Sequence, residues 1–297
     1  MTLRWVVGLD LRPHSHGAIQ FAAWLHAHAA AGAVTLEGLH VVENRLLGLP
    51  DAPARAALVG RAKQATVAAL TARQALDAFA HVDAVEADEV VDTLAAAGGL
   101  AATAGILVGR RLGGSDEHGL GGWVRLGKVA RRLLRRLDSP VCVVPPDLER
   151  AHVGAGPVVC AVSLDERGRA AAEFGQRFAA AIGRETRLVH VVDGGEPIGM
   201  EYLPEGTWTD VHEREHEASG EALARWRDEA GLDAPALLRR GQTVTELIRA
   251  ARELDACMLV CGSRQLSAAA RAWSSSVGSA LAAAAHLPVV VVPATSA

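Results

Sequence analysis

The sequence lacks several features, and each absence narrows the reading. No apolar run approaches the ~20 residues that a membrane-spanning helix needs. The most apolar stretches, such as Ala27 to Val34, are short and alanine-rich. No secretory leader shows either. Asp10 and Arg12 interrupt Trp5-Val-Val-Gly-Leu9 before an apolar leader core can form, so the expected compartment is the cytoplasm and no membrane partner is expected. No charge of one sign dominates. There are 30 Lys and Arg against 34 Asp and Glu, a net charge of −4. Residues 1–153 hold 16 basic against 15 acidic side chains, and residues 154–297 hold 14 against 19. That balance argues against a general nucleic-acid binder. Cysteine is scarce, at four residues, and each one sits in an apolar, strand-like run: Cys142, Cys160, Cys257 and Cys261. On a strand, Cys257 and Cys261 would stand roughly 13 Å apart, too far for a disulfide. The spacing does not suit a zinc knuckle. Buried thiols are expected.

What is present is a globular composition, 50% hydrophobic and 22% charged, in a chain of 297 residues that suits two domains. An internal repeat supports two. Trp5-Val-Val-Gly-Leu-Asp10 matches Pro157-Val-Val-Cys-Ala-Val-Ser163, and Leu39-His40-Val-Val-Glu43 matches Val189-His190-Val-Val-Asp193. Gly105-Ile-Leu-Val-Gly109 matches Met258-Leu-Val-Cys-Gly262, and Ser139-Pro-Val-Cys-Val-Val-Pro145 matches Leu287-Pro-Val-Val-Val-Val-Pro293. Four landmarks recur in one order at nearly one offset, as a tandem duplication requires. Pro, Gly and charge replace periodic patterning between Pro146 and Pro157, which puts domains at 1–147 and 155–297.

Within each copy, short Val/Ile/Leu runs alternate with longer alanine-rich segments of helical period. The runs are 4–10, 34–42, 80–86, 105–109 and 140–145, then 157–163, 186–192, 235–240, 256–262 and 288–293. Near-continuous apolar runs indicate strands buried on both faces. Ile19, Ala22, Ala23, His26 and Ala30 form one helical stripe; Leu247, Ile248, Ala251 and Leu254 form another. Each half therefore reads β-α-β-α-β-α-β-α-β, an α/β doubly wound, Rossmann-like parallel sheet. Ligands of such sheets bind at the carboxyl ends of the strands, which points to Asp10 and Gly109 in the first copy and to Ser163 and Gly262 in the second.

These landmarks resemble the universal stress protein family: a first strand ending in Asp, a Leu-His-Val-Val second strand, a fourth strand ending in Gly and a last strand Pro-Val-x-Val-Val-Pro. The resemblance covers both halves and implies a tandem-domain member. It implies a pseudo-twofold pair of domains joined through their last strands, 140–145 and 288–293, with a homodimer of the tandem chain a further option. The family's ATP-binding members carry Gly-x2-Gly-x9-Gly-Ser/Thr after the fourth strand, where glycines admit phosphates to backbone N–H groups at a helix start. In the second copy the spacing is kept, but the residues are Gly262, Gln265, Ser275 and Ser276, and the first-strand acid is Ser163. The first copy keeps Asp10, Gly109 and Gly127, with a loop five residues longer that includes Gly113, and with Lys128 at the Ser/Thr position. By resemblance, Val41 lies beside an adenine. The expectation is a non-catalytic stress-response protein binding a small ligand, ATP, in the first copy. The second copy is expected to be degenerate. The alternative is a nucleotide-free scaffold acting through protein or apolar-ligand contacts.

Two further motifs are weaker. Gly122-Trp-Val-Arg-Leu-Gly127-Lys128-Val129 approaches a P-loop, but the magnesium-binding hydroxyl is replaced by Val129 and the preceding strand ends too early. His212-Glu-Arg-Glu-His216 has zinc-protease spacing, yet the surrounding charges describe a solvated helix with i,i+4 pairs. Slow ATP hydrolysis and zinc hydrolysis remain lesser options, because no nucleophile–base–orienter set can be assembled.

Overall fold

The computed structural model describes residues 2–44, 52–100, 103–111, 126–192, 207–263 and 276–294. The first half runs β1 (Leu3–Leu9), α1 (His16–His28), β2 (Val34–Glu43), α2 (Ala52–Ala72), β3 (His81–Ala87), α3 (Val90–Gly98), β4 (Thr103–Gly109), α4 (Lys128–Arg136) and β5 (Val141–Val144). The second half repeats the plan: β6 (Val158–Ala161), α5 (Glu166–Ala181), β7 (Thr186–Val192), α6 (Thr207–Glu229), β8 (Ala236–Arg240), α7 (Thr243–Glu253), β9 (Met258–Gly262), α8 (Val277–Ala284) and β10 (Val289–Val292). All ten strands fall on the ten apolar runs of the sequence.

The strands form one ten-stranded sheet in the order β3-β2-β1-β4-β5-β10-β9-β6-β7-β8. Each half thus has the doubly wound order 3-2-1-4-5, and the two orders mirror each other about the centre. Every pairing is parallel except the central one. There β5 and β10 run antiparallel, with Val143 opposite Val289 and Val141 opposite Val291. Both strands are four residues long, Val-Cys-Val-Val and Val-Val-Val-Val, and are buried throughout. Alone, each would end its sheet as a bare apolar edge, which invites wrong pairing. Paired, both edges vanish.

The halves also share their cores. The Trp5 ring, fully buried, stands edge-on to Phe174 and to Phe178 of α5, with centroids 6.1 Å away in both cases. The Ala30 N–H donates to the Ala181 carbonyl at 3.0 Å. On this face of the sheet one apolar cluster runs from Trp5, Phe21 and Trp24 to Phe178 and Met258. The opposite face carries a second, from Leu94 and Ile106 to Leu247 and Leu281. Arg110, just past β4, is 9% exposed and reaches across the seam. Its Nη1 donates to the carbonyls of Ala282 at 3.2 Å and Ala285 at 3.0 Å, and to that of Ala283, so a cation from the first half closes the C-terminus of α8.

One helical stripe differs from expectation. In α1, Gly17 to Leu25 are buried without interruption, because segments 76–78 and 150–152 pack on flanks that the sheet leaves open. His26 and Ala30, expected on the stripe, are exposed beyond this cover. The basic face of α4 is paired with α3 and its lead-in: Arg132 meets Glu89 at 3.0 Å and Arg136 meets Asp92 at 2.7 Å. The four cysteines are free and buried. Burial pushes the thiols of Cys257 and Cys261 up to about 12, so they stay protonated and unreactive. Among the described residues, no helix is long and apolar enough to cross a membrane.

Candidate functional site

A cleft of about 500 Å³ opens in the first half at the carboxyl ends of β1, β2 and β4, beside the start of α4. This is the crevice in which ligands of doubly wound sheets bind. Its apolar wall includes Leu39, Val41, Leu94 and Val108, and its rim carries Asp10, Arg12, His14, Arg111 and Lys128. The sequence-derived candidates Asp10, Val41, Gly109, Gly127 and Lys128 all line it. Gly113 lies outside the described residues.

β1 ends at Leu9, so Asp10 stands just past the strand, and both of its carboxylate oxygens are engaged. Oδ1 accepts from the Ser15 hydroxyl at 2.5 Å and from the Arg12 N–H at 3.0 Å, and Oδ2 lies 2.8 Å from His14 Nε2. Behind it, His40 Nδ1 donates to the Leu9 carbonyl at 2.9 Å, fixing β2 against the end of β1. His190 repeats this bond to the Val162 carbonyl at 2.8 Å. Both strand histidines therefore brace the backbone. The α4 start has no side-chain cap: Gly127 is the N-cap residue and Lys128 opens the helix. Among the described residues no side chain caps its first N–H groups, whose partial positive charge lies beside the cleft. Arg111 closes in here, its Cβ 3.1 Å from the point a Gly127 side chain would occupy.

Gly109 and Gly262 have a packing reason of their own. A Cβ on Gly109 would lie 2.4 Å from the His14 carbonyl oxygen, and one on Gly262 2.5 Å from that of Arg167. The segment after the first strand of each half, a tight turn in the first and the opening of α5 in the second, presses on the end of the fourth, so glycine is required there with or without a ligand.

The second half fills the equivalent place differently. The Ser163 hydroxyl donates to Asp165 Oδ1 at 2.7 Å. Asp165 caps α5, accepting from the N–H groups of Arg167 and Gly168 at 3.1 Å each, and its other oxygen pairs with the Arg167 guanidinium. Burial pushes this carboxyl up, but the bonds from Arg167, Ser163 and Gly168 outweigh that and hold it down at about 2. The Ser276 hydroxyl accepts from the Ser279 N–H at 3.2 Å and so caps α8. Gln265 and Ser275 lie outside the described residues. On α6, His216 is exposed among charged neighbours. One of them, Glu215, pairs with Arg240 at 2.9 Å. The His212 side chain lies outside the description. Among the described residues no cluster of three or more His, Cys, Asp or Glu could hold a metal ion.

Sequence reasoning passed over Arg12, Arg111, Asp165 and Arg167. The repeat offset could have found two of them: adding 153 takes Arg12 to Asp165 and His14 to Arg167. The charge pattern after the first strand is therefore altered between copies.

The fold is a tandem of doubly wound α/β halves with a cleft in the first, and comparison with known proteins supplies relatives for it. The universal stress protein family model matches residues 155–293. No curated protein matches the chain. A universal stress protein from Archaeoglobus fulgidus DSM 4304 superposes with a TM-score of 0.64 at 17% identity, covering 98% of each chain. A functionally unknown protein from Pseudomonas aeruginosa PAO1 gives 0.64 at 14% identity over 99% of this chain and 93% of that one. A putative universal stress protein from Pseudomonas aeruginosa UCBPP-PA14 gives 0.60 at 16%, over 98% and 92%. At these identities the likeness is one of fold. The second half is a universal stress protein domain, and the first half repeats its strand order within one tandem chain.

Proposed function

We propose that the chain binds an adenine nucleotide, ATP, in the first-half cleft and acts as a non-catalytic stress-response protein of the cytoplasm. The observation that carries this reading is the cleft itself. A pocket of about 500 Å³ joins an apolar wall, suited to a base, to a cationic rim at an uncapped helix start, suited to phosphates. Binding without turnover is supported by the way the polar groups are used. His14 and Ser15 both turn to Asp10 rather than to each other, so these two do not form a serine–histidine pair. Asp165 and Arg167 occupy each other in the second half, which supports the assignment to the first.

The test is mass spectrometry of ligand released from full-length protein purified without added nucleotide, followed by titration calorimetry with ATP. Val41→Trp, which fills the wall, should lower affinity at least tenfold with the fold intact. Unchanged affinity would place the base elsewhere. One observation favours the nucleotide-free scaffold: both Asp10 oxygens are already bonded, so a ribose must share them with internal partners. Absence of any bound nucleotide or ATP heat would select that reading.

A further inference from the structure

The cleft's charges specify the form of its ligand. Three side-chain cations border it: Arg12 after β1, Arg111 after β4 and Lys128 at the first turn of α4. Among the described residues none of the three is ion-paired with a carboxylate. Among the described residues the carboxylates against the same cleft are Asp10 and Glu43. Asp10 has both oxygens engaged by Ser15, the Arg12 N–H and His14. A magnesium ion on a nucleotide is normally held by one or two protein carboxylates or hydroxyls besides the phosphates, in a near-octahedral oxygen shell. Among the described residues Asp10 directs its oxygens to its own loop, and an ammonium group, Lys128, stands at the helix start where the family signature has Ser or Thr.

We infer that this cleft takes its polyphosphate ligand free of metal, with Arg12, Arg111 and Lys128 supplying the countercharge that magnesium supplies elsewhere. The inference rests on the nucleotide reading above and adds the ionic form of the ligand. Magnesium cancels two of the phosphate charges that the cations attract, and it brings its own positive charge toward Lys128. It therefore competes with the protein for the nucleotide. Arginine offers forked donors matched to phosphate oxygens, and lysine acts as a point charge, so the three together can meet several phosphate oxygens at once.

Titration calorimetry on the full chain tests this at matched ionic strength, with ATP in EDTA and with ATP in saturating magnesium. The wild-type protein should bind about tenfold more tightly in EDTA, the scale expected for gain or loss of charge-assisted contacts at a partly exposed site. Lys128→Ser, an exposed change that restores a hydroxyl, should weaken binding in EDTA and shrink or reverse that ratio. Binding that requires magnesium, or is tighter with it, overturns the inference while leaving the nucleotide reading standing. A ratio that Lys128→Ser leaves unchanged also overturns it. No heat in either buffer removes the nucleotide reading itself and the inference with it.

Discussion

Removing the Trp5 side chain should destabilise the whole chain, because that ring ties the two halves into one cooperative unit. Trp5 leaves the first strand of the first half, is fully buried, and stands edge-on to Phe174 and Phe178 of the second half at 6.1 Å. Truncating a buried Trp to Ala costs about 3–5 kcal/mol in transfer and cavity terms. Two edge-to-face contacts add about 0.5–1.5 kcal/mol each beyond buried area. One feature works the other way: the indole Nε1 is buried without a hydrogen-bond partner. Leaving such a donor unmade costs about 1–3 kcal/mol. Trp5→Phe keeps an aromatic ring and deletes that donor, so it should lie within about 1 kcal/mol of wild type. The assay is urea unfolding followed by circular dichroism and by tryptophan fluorescence. Wild type should show one coincident transition, Trp5→Ala a midpoint lowered by the equivalent of about 3 kcal/mol or more, and Trp5→Phe a small shift. Two separate wild-type transitions, or a Trp5→Ala loss under about 1 kcal/mol, would refute the shared-core reasoning. The same reasoning warns against binding assays on isolated halves, which would bare Trp5 and the β5 edge.

Arg110→Met should lower stability by about 1–3 kcal/mol, because three carbonyls at the end of α8 lose a buried cationic donor; Arg110→Lys should fall between, both read by urea midpoint. The Asp165 carboxyl is held at about 2 against an ordinary 3.8, so its stabilisation is full above pH 4 or so and lost as pH falls toward about 2. Asp165→Asn should flatten the stability–pH curve across that window, measured by urea unfolding at stepped pH; an unchanged slope would contradict the assignment. Gly262→Ala should cost about 1–3 kcal/mol through overpacking against the Arg167 carbonyl. Gly109→Ala should cost a similar amount against that of His14, read by thermal denaturation without ligand.

The strands were legible because this fold buries them on both faces, so ten continuous apolar runs stand out without any need for periodicity. The seam was legible for a related reason: Val141–Val144 and Val289–Val292 are too apolar to end a sheet. Of the cleft's backbone positions, Asp10 and Gly109 follow from strand ends, and Gly127 and Lys128 from the family resemblance. Side chains that leave loops were not legible. Arg12 and Arg111 reach the cleft by loop geometry that no local pattern encodes. Arg110 is adjacent to Arg111 yet serves a helix end more than 170 residues away. The burial of α1 up to Leu25 also escaped the stripe reading, since its cover comes from segments outside the sheet.

The repeat makes each half a control for the other, and the first turn of the helix after the first strand is where they part. In the second half Asp165 caps α5 with two backbone bonds and holds Arg167, so its acid serves the helix. In the first half the equivalent residue, Arg12, opens the tight turn Pro13–Ser15 that runs into α1 and makes no side-chain capping bond; the Ser15 hydroxyl turns to Asp10 at the mouth of the cleft. A side-chain cap is commonly worth about 0.5–2 kcal/mol. The first half forgoes that gain in order to keep a carboxylate oriented beside three cations. A position under selection for stability alone would take the cap, as the second half does. Loss of local stability concentrated at a strand end that opens into a cavity is the pattern expected where the chain retains a site. Both halves build the core and the seam, and they differ in where the acid after the first strand is spent: on a helix cap in the second, at the mouth of the cleft in the first.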